Sequence, residues 1–155
     1  MTDLRLPWLP EELLPHADPM ILIDEVTGWD DERLTAIAQI AEDSLYFEPG
    51  QGVPAWVGIE YMAQAVAAFA GVRAKAAGEA VRVGFLLGAR RYTCHRSHFP
   101  LGERLIVRVH REIESVGMGV FQCIIRDQAG ETLAEAAINV YQPDDPGPVP
   151  EGGQP

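Results

Sequence analysis

At 155 residues and 47% hydrophobic content, the chain has the size of one domain with a sizeable buried core. A formal net charge of −11 argues against nucleic acid as a partner. Cys94 and Cys123 fit no metal-ligand or redox spacing, so no metal site is expected and both read as reduced core thiols of a cytoplasmic protein.

Charge is unevenly spread. Residues 1–50 hold twelve acidic side chains and only Arg5 and Arg33, whereas residues 73–111 hold nine of the twelve basic ones against Glu79 and Glu103. Two readings of that basic window are open: solvated edges of strands and helices, or a basic mouth for an anionic ligand or acidic partner. No basic stretch followed by an apolar run opens the sequence, so no signal peptide is expected.

In chain order, residues 10–14 can form a helical turn before Pro15. Residues 20–27, MILIDEVT, are rich in apolar and β-branched types and predict a strand. A polar turn at 29–32 and a second strand at 34–40 complete a hairpin. Residues 45–52 form a loop with Pro49, Gly50 and Gly52. The spacing then predicts a long helix over 54–77, with Pro54 at its favoured early position and Gly78 as its stop. Four strands follow, at 81–94, 103–115, 119–127 and 132–141, with turns at Val116-Gly117 and Gln128-Ala129-Gly130. Residues 142–155 are rich in proline and glycine without periodicity and read as a disordered tail after a single domain, 1–141. A hairpin, one helix and a four-stranded meander make an α+β chain with an antiparallel sheet curled around the helix.

The segment 53–72, VPAWVGIEYMAQAVAAFAGV, is apolar on nearly every helical side. Such a helix is normally buried. It nevertheless carries Glu60 and Gln64 one turn apart on one face. Together with Pro54 they argue against a membrane span. A buried carboxylate is costly unless protonated, paired or hydrogen-bonded, which makes Glu60 a candidate for chemistry.

Several phrases carry a family resemblance. Leu14-Pro15-His16-Ala17-Asp18-Pro19-Met20-Ile21-Leu22-Ile23-Asp24 is similar to the opening L-P-H-x-x-P-x-L-L-V-D of the hotdog-fold β-hydroxyacyl-(acyl-carrier-protein) dehydratases. Glu60-Tyr61-Met62-Ala63-Gln64-Ala65 resembles their helix phrase E-A-M-A-Q-A. Gly88-Ala89-Arg90-Arg91-Tyr92 and Pro100-Leu101-Gly102-Glu103-Arg104-Leu105 resemble two strand phrases more loosely. The resemblance spans about residues 12–141. It implies a hotdog fold, a curled antiparallel sheet of about six strands around one central helix, and subunits paired edge to edge. It also implies a β-hydroxyacyl chain carried on phosphopantetheine, with no other cofactor, delivered by acyl carrier protein or coenzyme A. In that family a loop histidine takes the α-proton, a helix carboxylate from the other subunit assists loss of the hydroxyl, and N–H groups at the helix start hold the thioester oxygen.

On this pattern Glu60 occupies the carboxylate position and Gln64 the helix glutamine, but the histidine position holds Tyr46. Tyrosine, with a reference pKa of about 10, is a poor base near neutrality but can serve as an acid or position the hydroxyl. The family glycine whose N–H faces the thioester is Ala55, which keeps the N–H. His16 is the first candidate to supply the missing base, with a structural role at the strand start as its alternative. His95 and His98 come next. His98-Phe99-Pro100 mimics the catalytic phrase but follows the helix, and is set aside as a look-alike. His110 reads as a surface residue. The candidate catalytic set is Glu60, His16 and Tyr46, with Gln64, Ala55, Val57, Arg90 and Arg91 as substrate contacts. Glu60 could instead be purely structural at a dimer interface.

The leading function is a 3-hydroxyacyl-thioester dehydratase of fatty-acid or polyene-type biosynthesis. A non-catalytic or half-catalytic subunit of a hotdog heterodimer, an acyl thioesterase, and an acyl-chain binder are the alternatives. Homodimer and heterodimer both remain open.

Overall fold

A computed structural model describes residues 21–78, 85–115 and 118–141. His16, the 10–14 turn, the Val116-Gly117 turn and the 142–155 tail lie outside the described residues.

The elements run β1 (Glu25–Trp29), β2 (Arg33–Gln39), β3 (Val53–Pro54), a 3-10 turn (Ala55–Val57), α1 (Gly58–Ala76), β4 (Phe85–Cys94), β5 (His98–Phe99), β6 (Arg104–Ser115), β7 (Met118–Arg126) and β8 (Thr132–Tyr141). Six strands form one antiparallel sheet in the order β1-β2-β6-β7-β8-β4, and β3 and β5 make a separate two-stranded ribbon. The curled sheet packs around α1, the one α-helix among the described residues, which is the hotdog architecture.

Alternation explains the packing. On β7, Gly119, Phe121, Cys123 and Ile125 turn inward, and on β6 Leu105, Val107 and Val109 do so. They meet Tyr61, Met62, Ala65, Phe69 and Val72 of α1 in one core. Phe69 meets Phe121 edge-on at 5.5 Å. Burying each large apolar side chain contributes about 1.5–3 kcal/mol. The helix is long and apolar enough to cross a membrane, yet its apolar surface is turned into its own sheet. Cys123 lies in that core, where burial pushes its thiol up to about 12, and Cys94 is half-buried; both are free thiols.

Three expectations need correction. The helix does not include Pro54. That residue has ψ 145, an extended value, because Val53 and Pro54 pair with Phe99 and His98. The last four strands are not one meander. β6 pairs with β2, and β4 lies at the far edge beside β8, because the chain between β4 and β6 crosses the helix start through β5. Finally, residue 20 lies outside the described residues, and from residue 21 on regular pairing of the first strand begins only at Glu25, while the Leu22 N–H is given to a helix side chain.

Candidate active site

The start of α1 is assembled from four pieces of chain. The β3–β5 ribbon ties it to residues 98–99, and the Ala55 N–H donates to the Ser97 carbonyl at 2.9 Å. Gly52 lies so close to the Phe99 carbonyl that a Cβ there would strike backbone, and its φ is +109. From the edge strand, Tyr92 donates its hydroxyl to the Ala55 carbonyl at 2.6 Å. That hydroxyl fills the place a side chain at Gly58 would take. Burial first, and the neighbouring Cys94 thiol second, push the Tyr92 hydroxyl above the usual phenol range.

Glu60 stands in the first turn of α1. Gln64, one turn on, is 1% exposed. Its Oε1 accepts the Leu22 N–H at 2.7 Å, and its Nε2 faces Glu60 Oε2 at 3.4 Å. The two residues singled out on the helix therefore meet, and the phrase around residue 22 is attached to them. Tyr46 is brought to the same end of the helix. It is 46% exposed, has a φ of 69, and packs tilted against the exposed Trp56 with ring centroids 4.9 Å apart. A non-glycine residue at such a φ is held there by its surroundings.

Other expected contacts are not gathered here. The Ala55 N–H is already spent on Ser97, and the Gly58 N–H on the Ala55 carbonyl, so the expected Ala55 donor is not open to a thioester. Val57 is fully buried and offers only its main chain. Arg91, at φ 57 beside a bulge, lines a groove of about 600 Å³ with Thr93, Glu112, Gln122, Glu135 and Asn139. Those partners alternate with core residues, so the groove is on the sheet face turned away from α1. Arg90 pairs with Ala137 in the ladder, and its side chain lies outside the description. The basic window is not one open mouth either. Arg96 is ion-paired with Glu103 at 2.7 Å and Asp127 at 3.8 Å, Arg104 with Glu25 at 3.3 Å, and Arg73 and Arg111 flank the Phe69 ring.

His98, set aside on sequence grounds, sits opposite Pro54 at the helix start. Its Nε2 meets Glu48 Oε1 at 2.9 Å and its Nδ1 meets Ser97 Oγ at 3.1 Å. It thus reaches the loop that carries Tyr46. Both ring nitrogens are engaged, so the imidazole is held in one orientation. Sequence reasoning also missed Tyr92. The only local signal for it was Gly58, a glycine at the start of an otherwise apolar helix.

Comparison with known proteins agrees with this architecture. Residues 8–150 match the ApeP-like family, described as ApeP dehydratase. A solved structure of the dehydratase heterocomplex ApeI:P from Xenorhabdus doucetiae is 29% identical, with TM-score 0.81, over 91% of this chain and 93% of that one. The PaaI protein of the E. coli phenylacetic acid degradation operon is 14% identical, with TM-score 0.60, over 76% of this chain and 81% of its own. A Streptococcus mutans protein bound to acetyl CoA is 9% identical, with TM-score 0.63, over 83% and 94%. These last two show the fold alone. No curated protein matches. With a curled sheet around one helix, Glu60 and Gln64 in contact on that helix, and a match along nearly its whole length, the chain belongs to the ApeP-like dehydratase family.

Proposed function

We propose that this protein is one half of a 3-hydroxyacyl-thioester dehydratase of fatty-acid or polyene-type biosynthesis, completed by a second hotdog subunit. The acyl chain is carried on the phosphopantetheine of a carrier protein or coenzyme A. Dehydration moves two protons: one leaves C2, and one joins the hydroxyl that departs from C3. An acid and a base are both needed. Glu60, at the start of a buried helix and against Gln64, supplies one of them.

The observation that carries the two-subunit reading is the state of the other candidates. Tyr46 packs against Trp56 at the surface, and His98 has both ring nitrogens occupied. Among these candidates within the described residues, neither is hydrogen-bonded to Glu60, whose side chain meets Gln64 instead, and the proposed enzyme takes its base from the second subunit. The heterocomplex nature of the ApeI:P dehydratase supports the same arrangement.

The test is incubation with 3-hydroxyacyl thioesters of carrier protein and of coenzyme A. The chain is assayed alone and mixed with a second hotdog protein of the same organism. Enoyl product only in the mixture, and none with Glu60→Gln, is expected. Full activity of the isolated chain would overturn the two-subunit reading. Release of free thiol in place of enoyl product would move the protein to the thioesterases.

A further inference from the structure

Among the described strands, β4 (Phe85–Cys94) pairs with β8 alone and forms one edge of the six-stranded sheet. Its sequence, FLLGARRYTC, contains two arginines and no acidic residue. Between Arg90 and Thr93 its register with β8 shifts, and Arg91 stands in that shift with a φ of 57. Glycine takes such a φ freely, whereas an L side chain takes it at a cost. An arginine is held there nonetheless, exposed at the rim of the groove on the outer face of the sheet.

Its charge is unanswered. Arg96 and Arg104 are ion-paired with Glu103 and Glu25, whereas among the described residues none is ion-paired with Arg91. The two carboxylates of the same groove, Glu135 and Glu112, stand on β8 and β6, which lie one and three strands in from the edge. A chain approaching β4 meets the guanidinium first.

We propose that Arg91 selects the partner of this edge: it opposes pairing of β4 with a second copy of the chain and admits a hotdog subunit whose facing strand carries a carboxylate. The inference rests on the two-subunit reading. In a homodimer the two β4 strands would run antiparallel about a two-fold axis, with residues near the axis close to their own copies. The middle of Phe85–Cys94 falls between Ala89 and Arg90. An axis there sets the two Arg91 Cα atoms about 11 Å apart on the same sheet face. The facing strand is then FLLGARRYTC again, which has no carboxylate to offer. An unlike subunit escapes this, because an acidic residue on its strand turns repulsion into attraction. Edge strands are commonly guarded by charges and bulges, and discrimination between partners rests on the repelled pair as much as on the favoured one.

Two variants of the full chain test this. Arg91→Gly removes the charge and suits the φ, so it should melt no lower than wild type. Arg91→Lys keeps the charge. Self-association is measured by sedimentation equilibrium without substrate, and binding to the second hotdog protein of the same organism by calorimetry. In about 20 mM salt, Arg91→Gly should pair with itself roughly fivefold to tenfold more tightly than wild type, and should bind the second protein more weakly by a similar factor. Arg91→Lys should follow wild type in both assays. Near 0.5 M salt the differences should shrink to within about twofold. Opposite shifts in the two assays are the signature, since a role in strand geometry alone moves both the same way and ignores salt.

Self-association of Arg91→Gly equal to that of wild type, or a gap that salt does not close, overturns the inference. So does an Arg91→Gly chain that binds the second protein as tightly as wild type. If the second protein does not bind wild type, or the isolated wild type turns substrate over, the two-subunit reading falls. The self-association constants then decide alone whether Arg91 opposes a second copy.

Discussion

Glu60→Gln keeps the side chain's shape and removes its ability to exchange a proton. In the two-subunit enzyme it should lower kcat by about 100-fold or more, while the melting temperature barely moves because Glu60 is only half-buried. Gly58 and Tyr92 make a second residue-scale test. Gly58→Ala puts a methyl group on the Tyr92 hydroxyl and should cost about 1–3 kcal/mol in denaturant unfolding. Tyr92→Phe removes the bond to the Ala55 carbonyl and should cost about 1 kcal/mol. The double variant should cost less than the sum, because the phenylalanine vacates the space the methyl needs. Asp24 gives a pH test. Asp24 is exposed as a residue, but partial burial of its carboxyl holds it above the ordinary carboxylate range, against the pull of the Gln39 N–H that it accepts at 2.6 Å. A raised folded pKa means that the ionised form is penalised in the native state and that the penalty fades as acid protonates it. Asp24→Asn keeps an acceptor and should raise stability near neutrality. The gain stays under about 1 kcal/mol, since the side chain is open to solvent, and vanishes as pH falls through the unfolded carboxyl's range. Stability curves at neutral and acid pH decide it. Glu60 and Gln64 were legible in the sequence because two polar residues four apart break an apolar helix. Tyr92 was not, because its contact to residue 55 is 37 positions away and its only trace is the glycine at position 58.

The β3–β5 ribbon is the element that gathers the helix start, the Tyr46 loop and His98. Its dependence on Gly52 is steric and conformational at once. Gly52 has φ +109, and a Cβ would meet the Phe99 backbone, which cannot yield as a side-chain end can. Gly52→Ala should therefore cost about 3 kcal/mol or more. Hydrogen exchange should quicken at Glu48, Gln51 and Gly52, whose N–H groups bond within this loop, before the long strands open. Equal loss of protection everywhere would mean that the ribbon is not a separate unit. The long strands were readable because alternation over nine or more residues, as on β7, survives local exceptions. The two-residue strands were not, since such a strand has no period to read. Pro54 misled for a physical reason. Proline suits both the first turn of a helix and an extended residue before it, and here the pairing with His98 selects the extended form.

At the scale of the molecule, the sheet ends in β1 on one side and β4 on the other. β4 is ten residues long, and an edge of that length invites another strand. It also carries Tyr92, which reaches the helix start, so a subunit laid along β4 would sit beside Glu60's end of the helix. The family resemblance put Tyr46 at the position of the loop histidine, but edge pairing is a property of strand order, and the order was misread. On mixing with the second hotdog subunit, amides of β4 that are not paired to β8 should become protected from exchange, whereas those of β1 should not. Sedimentation should show a one-to-one assembly, and Glu60→Gln should assemble like wild type while failing to turn over. Protection confined to β1, or assembly lost with Glu60→Gln, would place the second subunit on the other edge or make Glu60 a structural residue of the interface. Protection at β4 together with an assembled but inactive Glu60→Gln complex would join the two observations: the edge brings the base, and the helix supplies the carboxylate.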